Sequence, residues 1–273
     1  MTRIVIFANP DKPEAMRLAA ETKQTLEARG EDVFFSSRLG EDLAAYRPDL
    51  AAVFGGDGTV LSALAGLGIN PPPIIAFNLG RLGYLANNPP ERVGELVDEA
   101  MAGRLQTSTR MMIEARLESP RREWTRTALN EFVLTSRVRG RQLPLAVQVD
   151  GEELMDIRGD GIIVATPTGS TAYALSAGGP VVSPELSAIL LTPLCPHQLA
   201  NRSLVLDPAE TVRMRHFGEC TVDVLADGRL CLEIESGEVL AVRAAPFPAR
   251  LLTPPENGRY RLLREKLGWG WKA

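Results

Sequence analysis

The chain has 273 residues, of which 45% are hydrophobic and 23% are charged, and these proportions are typical of a globular protein large enough for two domains. Its net charge of −4 gives no reason to expect non-specific binding to nucleic acid. Residues 1–8 lack the extended apolar stretch of a secretory signal, no run reaches the roughly 18 apolar residues of a membrane helix, and the three cysteines form no CxxC pair. We therefore expect a cytoplasmic protein with reduced thiols and with neither nucleic-acid nor membrane partners.

Over the first third of the chain, apolar runs alternate with helical patterns. The predicted strands cover residues 3–8, 33–35, 50–54 and 74–77. The predicted helices cover residues 13–29, 43–46, the stretch that follows residue 59, and 90–103. Such an alternation predicts an α/β domain with a parallel, Rossmann-like sheet, in which ligands bind at the carboxyl ends of the strands.

The turn Gly55-Gly56-Asp57-Gly58-Thr59 joins the third predicted strand to the helix that follows it. Backbone N–H groups at such a helix N-terminus favour anions, and glycine lets a nucleotide approach the backbone closely. A carboxylate in this loop indicates a group that takes a substrate proton or holds a cation. The alternative is a tight turn in which Asp57 only caps the helix. No lysine of the chain follows a glycine, so a Walker-type phosphate loop is absent.

After Gly103 the chain changes to short β runs separated by turn residues. The predicted strands cover residues 112–117, 128–135, 145–149, 162–165, 204–206, 211–214, 221–225, 230–234 and 239–242. Asp150-Gly151 and Asp227-Gly228 are typical of hairpin turns. This pattern predicts an antiparallel β sandwich. Prolines at positions 246, 248, 254 and 255 mark a second linker, and residues 260–267 have a helical composition.

Two further stretches of the second region carry polar groups suited to a nucleotide. Arg158-Gly159-Asp160-Gly161 precedes an apolar run and then a loop, residues 166–173, with four aliphatic hydroxyls and a tyrosine. The alternative is a Ser/Thr-rich loop that satisfies its own backbone. Asn130-Glu131 offers adjacent polar side chains, which contact one ligand only if the strand ends or bulges there. Its alternative is that Glu131 is the exposed position of an alternating strand.

Together these stretches resemble the NAD kinase family. The resemblance includes Asn78-Leu79-Gly80-Arg81-Leu82-Gly83-Tyr84-Leu85 and Cys195-Pro196-His197, and it runs in order over most of the chain. It implies transfer of a phosphoryl group from ATP or polyphosphate to the 2′-hydroxyl of the adenosine ribose of NAD, assisted by a divalent cation such as Mg²⁺. It also implies a homodimer or homotetramer whose sites are completed across subunits.

The resemblance assigns domains and residue roles. We expect an α/β domain over residues 1–106, a β sandwich that binds NAD over 107–250, and a C-terminal segment, 251–273, that packs back on the first domain. Asp57 is the proton acceptor, and the loop for the phosphoryl donor comprises Gly55, Gly56, Gly58 and Thr59. The residues expected to bind NAD are Asp57, Gly58, Asn130, Glu131, Arg141, Arg158, Asp160, Thr168, Thr171, Ala172, Tyr173, Ala174, Leu175 and Ser176. Asp160, with Arg158, is expected near the nicotinamide end, Arg141 is expected to contact the ligand from a neighbouring subunit or strand, and no residue is assigned as a metal ligand.

One position departs from the family. Arg229 follows the Asp227-Gly228 turn where family members tend to have glutamine. The ligand contact that the family makes at this position is therefore not assigned to Arg229. Two other functions stay open: a diacylglycerol- or sphingosine-type lipid kinase, which shares the Gly-Gly-Asp-Gly turn, and a non-catalytic NAD(P)-binding sensor. The segments at residues 130–131 and 166–173 argue against the lipid kinase, and a carboxylate beside phosphates argues against the sensor.

Overall fold

The computed structural model describes residues 1–38, 41–80, 83–137, 142–198, 200–218, 221–254 and 259–269. The chain divides into two compact units. Met1–Thr109 and Ala249–Ala273 form the first unit, and Arg110–Pro248 form the second. Among the described helices, none is long and apolar enough to span a membrane.

The first unit is built on a six-stranded sheet. Numbered in chain order, its strands are β1 (Arg3–Ala8), β2 (Asp32–Ser36), β3 (Leu50–Gly55), β4 (Ile74–Asn78), β5 (Gln106–Arg110) and β18 (Ala249–Thr253). Their order across the sheet is β2-β1-β3-β4-β18-β5. The β1, β2, β3, β4 and β18 strands pair in parallel, which confirms the predicted sheet and the return of the C-terminal part of the chain to this unit.

Three helices pack buried residues against this sheet: α1 (Pro13–Ala28), α2 (Asp57–Leu67) and α3 (Val93–Met101). A fourth helix, α5 (Arg259–Leu267), also belongs to this unit. Pro13 opens α1 at a position where its missing N–H costs nothing, and Gly30, at φ +84°, lies just beyond its end. The predicted helix over residues 90–103 begins instead as a 3₁₀ turn, Pro90–Arg92, and continues as α3.

The centre of this sheet is buried on both faces. All six residues of β3 are buried, and the rings of Phe54 and Phe77, on neighbouring strands, stack with centroids 5.1 Å apart. Such continuous apolar runs are typical of parallel strands covered by helices. They leave the polar residues that follow β3 and β4 together at the carboxyl edge of the sheet.

The second unit is a sandwich of two antiparallel sheets, as predicted. Its strands are β6 (Ile113–Glu118), β7 (Thr125–Ala128), β8 (Glu131–Ser136), β9 (Leu143–Val149), β10 (Glu152–Gly159), β11 (Gly161–Ala165), β12 (Ile189–Leu194), β13 (Leu204–Leu206), β14 (Val212–His216), β15 (Val222–Ala226), β16 (Arg229–Ile234) and β17 (Val239–Ala244). One sheet has the order β10-β9-β14-β17-β6-β7 and the other β13-β12-β11-β8-β15-β16. Inward side chains from both sheets, such as Leu117, Phe132, Ile162 and Met214, form one apolar core. A short helix, α4 (Tyr173–Ser176), follows β11.

Both predicted hairpin turns are confirmed. Asp150 and Gly151 have φ angles of +49° and +89°, and Asp227 and Gly228 have φ angles of +48° and +77°. Two consecutive residues with positive φ form the turn that suits the right-handed twist of a hairpin.

Other strand predictions are wrong in instructive ways. The predicted strand over residues 128–135 is part of two strands, because β7 ends at Ala128 and β8 begins at Glu131. We call this interruption of the β structure the break between β7 and β8. The predicted proline linker contains β18, since Pro248 and Pro254 flank that strand without interrupting its hydrogen bonds.

Candidate active site

Asp57 lies at the predicted strand-to-helix corner, where β3 ends at Gly55 and α2 begins. Its carboxylate accepts three backbone hydrogen bonds, from the N–H of Tyr84 to Oδ2 (2.8 Å) and from those of Leu85 and Ala86 to Oδ1 (both 3.0 Å). The carboxylate therefore fastens the segment that follows β4 as well as opening α2. A cap on its own helix, the simpler alternative, does not describe it.

The glycines around Asp57 differ in the space that surrounds them: at Gly83 and Gly55 there is no room for a Cβ, whereas the space next to Gly58 is open. A Cβ on Gly83 would lie 1.9 Å from Asp57 Oδ1, and one on Gly55 would lie 2.2 Å from Thr59 Oγ1, so any side chain would displace these groups. Gly58, in contrast, has no heavy atom within 4 Å of where its Cβ would lie. The Thr59 hydroxyl accepts a hydrogen bond from the N–H of Gly56 at 3.3 Å and so stabilises the turn itself.

Asn130 and Glu131 lie at the break between β7 and β8, which is the strand end that a shared ligand requires. The carboxylate of Asp227 holds this break by accepting hydrogen bonds from the N–H groups of Leu129 (3.0 Å), Asn130 (2.7 Å) and Glu131 (3.2 Å). Asp227 lies in the turn between β15 and β16, so a hairpin distant in sequence holds residues 129–131 in place. Sequence reasoning treated Asp227 only as a turn residue and missed this role.

Glu131 is a buried carboxyl group. It is 5% exposed, so the alternative that it is an exposed strand position is wrong. Among the described residues, its Oε2 atom has no hydrogen-bond partner. Burial, and then the nearby charge of Asp227, raises the pKa of Glu131 to about 8, while the backbone N–H of Tyr173 opposes the shift. The group is therefore protonated near neutral pH and able to donate a hydrogen bond as well as accept one.

The hydroxyl-rich loop packs against this break. The Thr166 N–H donates to Asn130 O (2.8 Å), its hydroxyl donates to Leu129 O (2.6 Å), and a Cβ on Gly169 would lie 2.1 Å from Asn130 O. The loop and the Asn130-Glu131 pair thus form one structure, although Thr166 was not among the predicted site residues.

Within this loop, the hydroxyl groups differ in their hydrogen bonding. Ser170 and Thr171 bond to backbone groups of the loop and its surroundings, as a self-satisfied loop would. Thr168 Oγ1 is buried and has no partner in the described part of the chain. Tyr173 is 48% exposed at the start of α4, which also holds Ala174, Leu175 and Ser176. Ala172 is half-buried just before that helix.

Asp160 does not repeat the geometry of Asp57. Gly159 ends β10 and Gly161 begins β11, so Asp160 joins the two sheets, and neither glycine has a positive φ. Both glycines are required for packing, because their Cβ atoms would lie 2.6 Å from Leu194 O and 2.1 Å from Leu134 O. The Asp160 carboxylate faces Cys195 and raises the pKa of that thiol.

Asp160 and Glu131 lie at opposite ends of the same strand pair. Gly161 pairs with Thr135 and Ala165 pairs with Glu131, so five residues of extended chain, or about 16 Å, separate Asp160 from the break that holds Glu131. The structure brings Asn130, Glu131 and the loop together but leaves Asp160 and Arg158 apart from them. Arg158 is exposed at that far end.

The remaining predicted residues add little to the site. Arg141 lies outside the described residues. The Gln142 amide nitrogen donates a hydrogen bond to His197 Nδ1 (3.1 Å), and His216 is buried beside Pro144 O at 3.2 Å. In the described ranges no group of three or more His, Cys, Asp or Glu side chains is placed to hold a metal ion.

Comparisons with known proteins give concordant results. The ATP-NAD kinase N-terminal domain family matches residues 44–105, and the ATP-NAD kinase C-terminal domain family matches residues 129–253. An NAD kinase of Syntrophotalea carbinolica is 35% identical over 283 residues, covering 99% of this chain and 99% of that protein. The crystal structure of yeast NADH kinase complexed with NADH has a TM-score of 0.90 at 25% identity, covering 100% of this chain and 89% of that one. An NAD kinase from Archaeoglobus fulgidus in complex with ATP has a TM-score of 0.78 at 28% identity, covering 98% of this chain and 99% of that one.

Proposed function

Because the chain belongs to the NAD kinase family and is an enzyme that phosphorylates NAD, we propose that Asp57 is the group that receives the proton of the attacking hydroxyl. The acceptor hydroxyl is the 2′-OH of the adenosine ribose, and the donor is ATP. A bond forms between the ribose oxygen and the γ-phosphorus, the bond from that phosphorus to the β,γ-bridging oxygen breaks, and ADP leaves. The products are NADP, ADP and the proton held by Asp57.

The observation that carries this proposal is the fixed orientation of the Asp57 carboxylate. Three backbone N–H groups occupy three of its roughly four lone-pair positions, which leaves capacity for one hydroxyl proton. Phosphoryl transfer demands mainly alignment, and the proton leaves late in a loose transition state. A weak but rigidly placed base is therefore sufficient.

Recognition of NAD is assigned to the break between β7 and β8 and to the loop packed on it. Glu131 Oε2 and Thr168 Oγ1 are buried polar atoms without partners among the described residues. Leaving such atoms unpaired costs about 1–3 kcal/mol each, which a ligand hydroxyl or amide recovers on binding. Asn130, at the same break, adds an amide, and the exposed ring of Tyr173 offers a surface for stacking.

A divalent cation fits the described part of this chain as a partner of the nucleotide. Mg²⁺ is usually held by one or two carboxylates together with substrate phosphates, and the described residues offer no larger acidic cluster. We expect Mg²⁺ to arrive with ATP, where it offsets negative charge on the phosphates.

Asp160 and Arg158 fit the same function if a second copy of the chain contributes them. Asp160 lies about 16 Å along the β8–β11 strand pair from Glu131, and Arg158 lies at the same far end, on β10. We propose a homodimer or homotetramer, which a mass measurement in solution tests.

The direct experiment follows the product. Purified protein incubated with NAD, ATP and Mg²⁺ is expected to form NADP and ADP in equal amounts, identified by chromatography. Parallel reactions with diacylglycerol and with sphingosine in place of NAD are expected to give no phosphorylated lipid. Phosphorylated lipid without NADP would establish the lipid kinase instead, and NAD binding without any transfer would establish the sensor.

A further inference from the structure

Lys12 is a charged residue that neither the motifs nor the proposed function accounts for. It follows β1 in the segment Asn9–Lys12, which is fastened to the end of β3 by a hydrogen bond from the Asn9 N–H to Phe54 O (3.0 Å). From there the side chain crosses the sheet edge, and its ammonium donates to Leu79 O, just after β4, at 2.6 Å.

The ammonium lies beside both glycine-containing turns of this edge. A Cβ on Gly80 would lie 2.8 Å from Lys12 Nζ, and a Cβ on Gly56, the residue just before α2, would lie 4.0 Å from it. Three strands, β1, β3 and β4, thus bring one cation to the N-terminus of α2. No local sequence pattern connects these residues.

This arrangement is unfavourable for the protein alone. A helix N-terminus carries partial positive charge, so a cation there is destabilising by roughly 0.3–1 kcal/mol. In the described part of the chain, no carboxylate lies within 4.0 Å of Lys12 Nζ, and Leu79 O is its one hydrogen-bond partner. The carboxylate of Asp57 is bound instead by the N–H groups of residues 84–86. An anion at this point would relieve the repulsion.

We propose that Lys12 binds the phosphate chain of the phosphoryl donor at the turn formed by residues 55–59. The inference rests on the proposed function and names a residue for it. An ammonium has three N–H donors, so two remain for phosphate oxygens after the bond to Leu79 O. When the bond to the γ-phosphorus breaks, its electron pair passes to the β-phosphate of ADP, and Lys12 stabilises that charge. From the segment before α1, it does what the lysine of a Walker loop does from within its own loop.

The test separates charge from tethering. Lys12→Gln keeps an N–H donor for Leu79 O but removes the charge, Lys12→Met removes both, and Lys12→Arg keeps the charge. The control is Lys23→Met on α1, where the ammonium pairs only with Glu27 at the surface. Dissociation constants are measured by calorimetry for ATP, ADP, AMP and NAD, and melting temperatures are measured alongside.

We expect Lys12→Gln and Lys12→Met to weaken ATP and ADP binding by about 10- to 100-fold, the effect of losing a charged hydrogen bond. Binding of AMP and NAD is expected to change less than about twofold, and Lys12→Arg to retain most of the ATP affinity. A purely structural lysine would instead lower the melting temperature and weaken all four ligands alike, which would overturn the inference. So would ATP affinities within twofold of the parent's. If the parent forms NADP while these variants bind ATP normally, the inference fails and the proposed function stands.

Discussion

Glu131 shows how burial changes the protonation state of a single carboxyl group. Its pKa is raised from 4.5 to about 8 because the ionised form is both desolvated and close to Asp227. The folded protein therefore binds one more proton than the unfolded chain between those two values. The protonated form of Glu131 therefore contributes to the free energy of unfolding. This contribution is fully present below pH 4.5, falls as the pH rises, and is lost above about pH 8.

The variant Glu131→Gln removes this dependence while keeping a neutral, hydrogen-bonding side chain. The free energy of unfolding of the parent is expected to fall relative to that of the variant by a few kcal/mol as the pH rises from about 4.5 to 8. Urea titrations of both proteins across this range measure it. A constant difference between the two proteins would show that Glu131 is ionised throughout.

Sequence reasoning predicted that a strand ends at Asn130 and Glu131, which the structure shows, but it did not predict what holds them there. For these two adjacent side chains to contact one ligand, the strand only has to end there. Asp227, in contrast, acts because the β15–β16 turn reaches the start of β8, and that depends on the register in which Ala226 lies opposite Phe132. Lys12 likewise acts across three strand ends. Pairings between distant segments are invisible in a local pattern.

At the scale of elements, the β15–β16 hairpin holds residues 129–131, to which we assign NAD binding, through the Asp227 carboxylate. In Asp227→Asn, the turn survives because asparagine tolerates the positive φ, but the amide cannot accept all three backbone hydrogen bonds. We expect a loss of about 1–3 kcal/mol in stability for each N–H left unpaired, and weaker NAD binding because residues 129–131 are released.

The matched control is the other hairpin of the sandwich. Asp150 has the same turn conformation, but its carboxylate accepts one hydrogen bond, from the exposed N–H of Thr211 at 2.9 Å. Asp150→Asn is expected to leave NAD affinity unchanged. Denaturation curves and NAD titrations compare the two variants, and equal NAD affinity in both would contradict a bracing role for Asp227.

Composition explains which elements could be predicted. The strands β1, β3 and β4 are buried apolar runs, and α1 has clear end signals, so each is legible in the sequence. The strand β10, with the sequence EELMDIRG, is mostly polar because it lies at a sheet edge, and its pairing with β9 determines its structure. The strand β18 was hidden by the prolines that flank it.

For the whole molecule, two units with separate cores follow from the change of pattern after Gly103. The first unit presents a carboxylate held by backbone N–H groups, and the second presents buried polar atoms without partners in its described part. In the function that we propose, the first supplies the positioned base and the second binds the acceptor, which are both requirements of phosphoryl transfer. The N-terminal and C-terminal domain families of ATP-NAD kinase match residues 44–105 and 129–253 of this chain.

Asp57→Asn tests this account most directly, with Asp98→Asn on the surface of α3 as its control. The turnover number for NADP formation from NAD and ATP is measured together with the dissociation constant for NAD and the melting temperature. A general base contributes about 10²- to 10⁴-fold, so we predict a loss of that size in Asp57→Asn, with NAD affinity and folding retained. A folded Asp57→Asn protein that forms NADP at the parent rate would contradict the assignment of Asp57 as the proton acceptor.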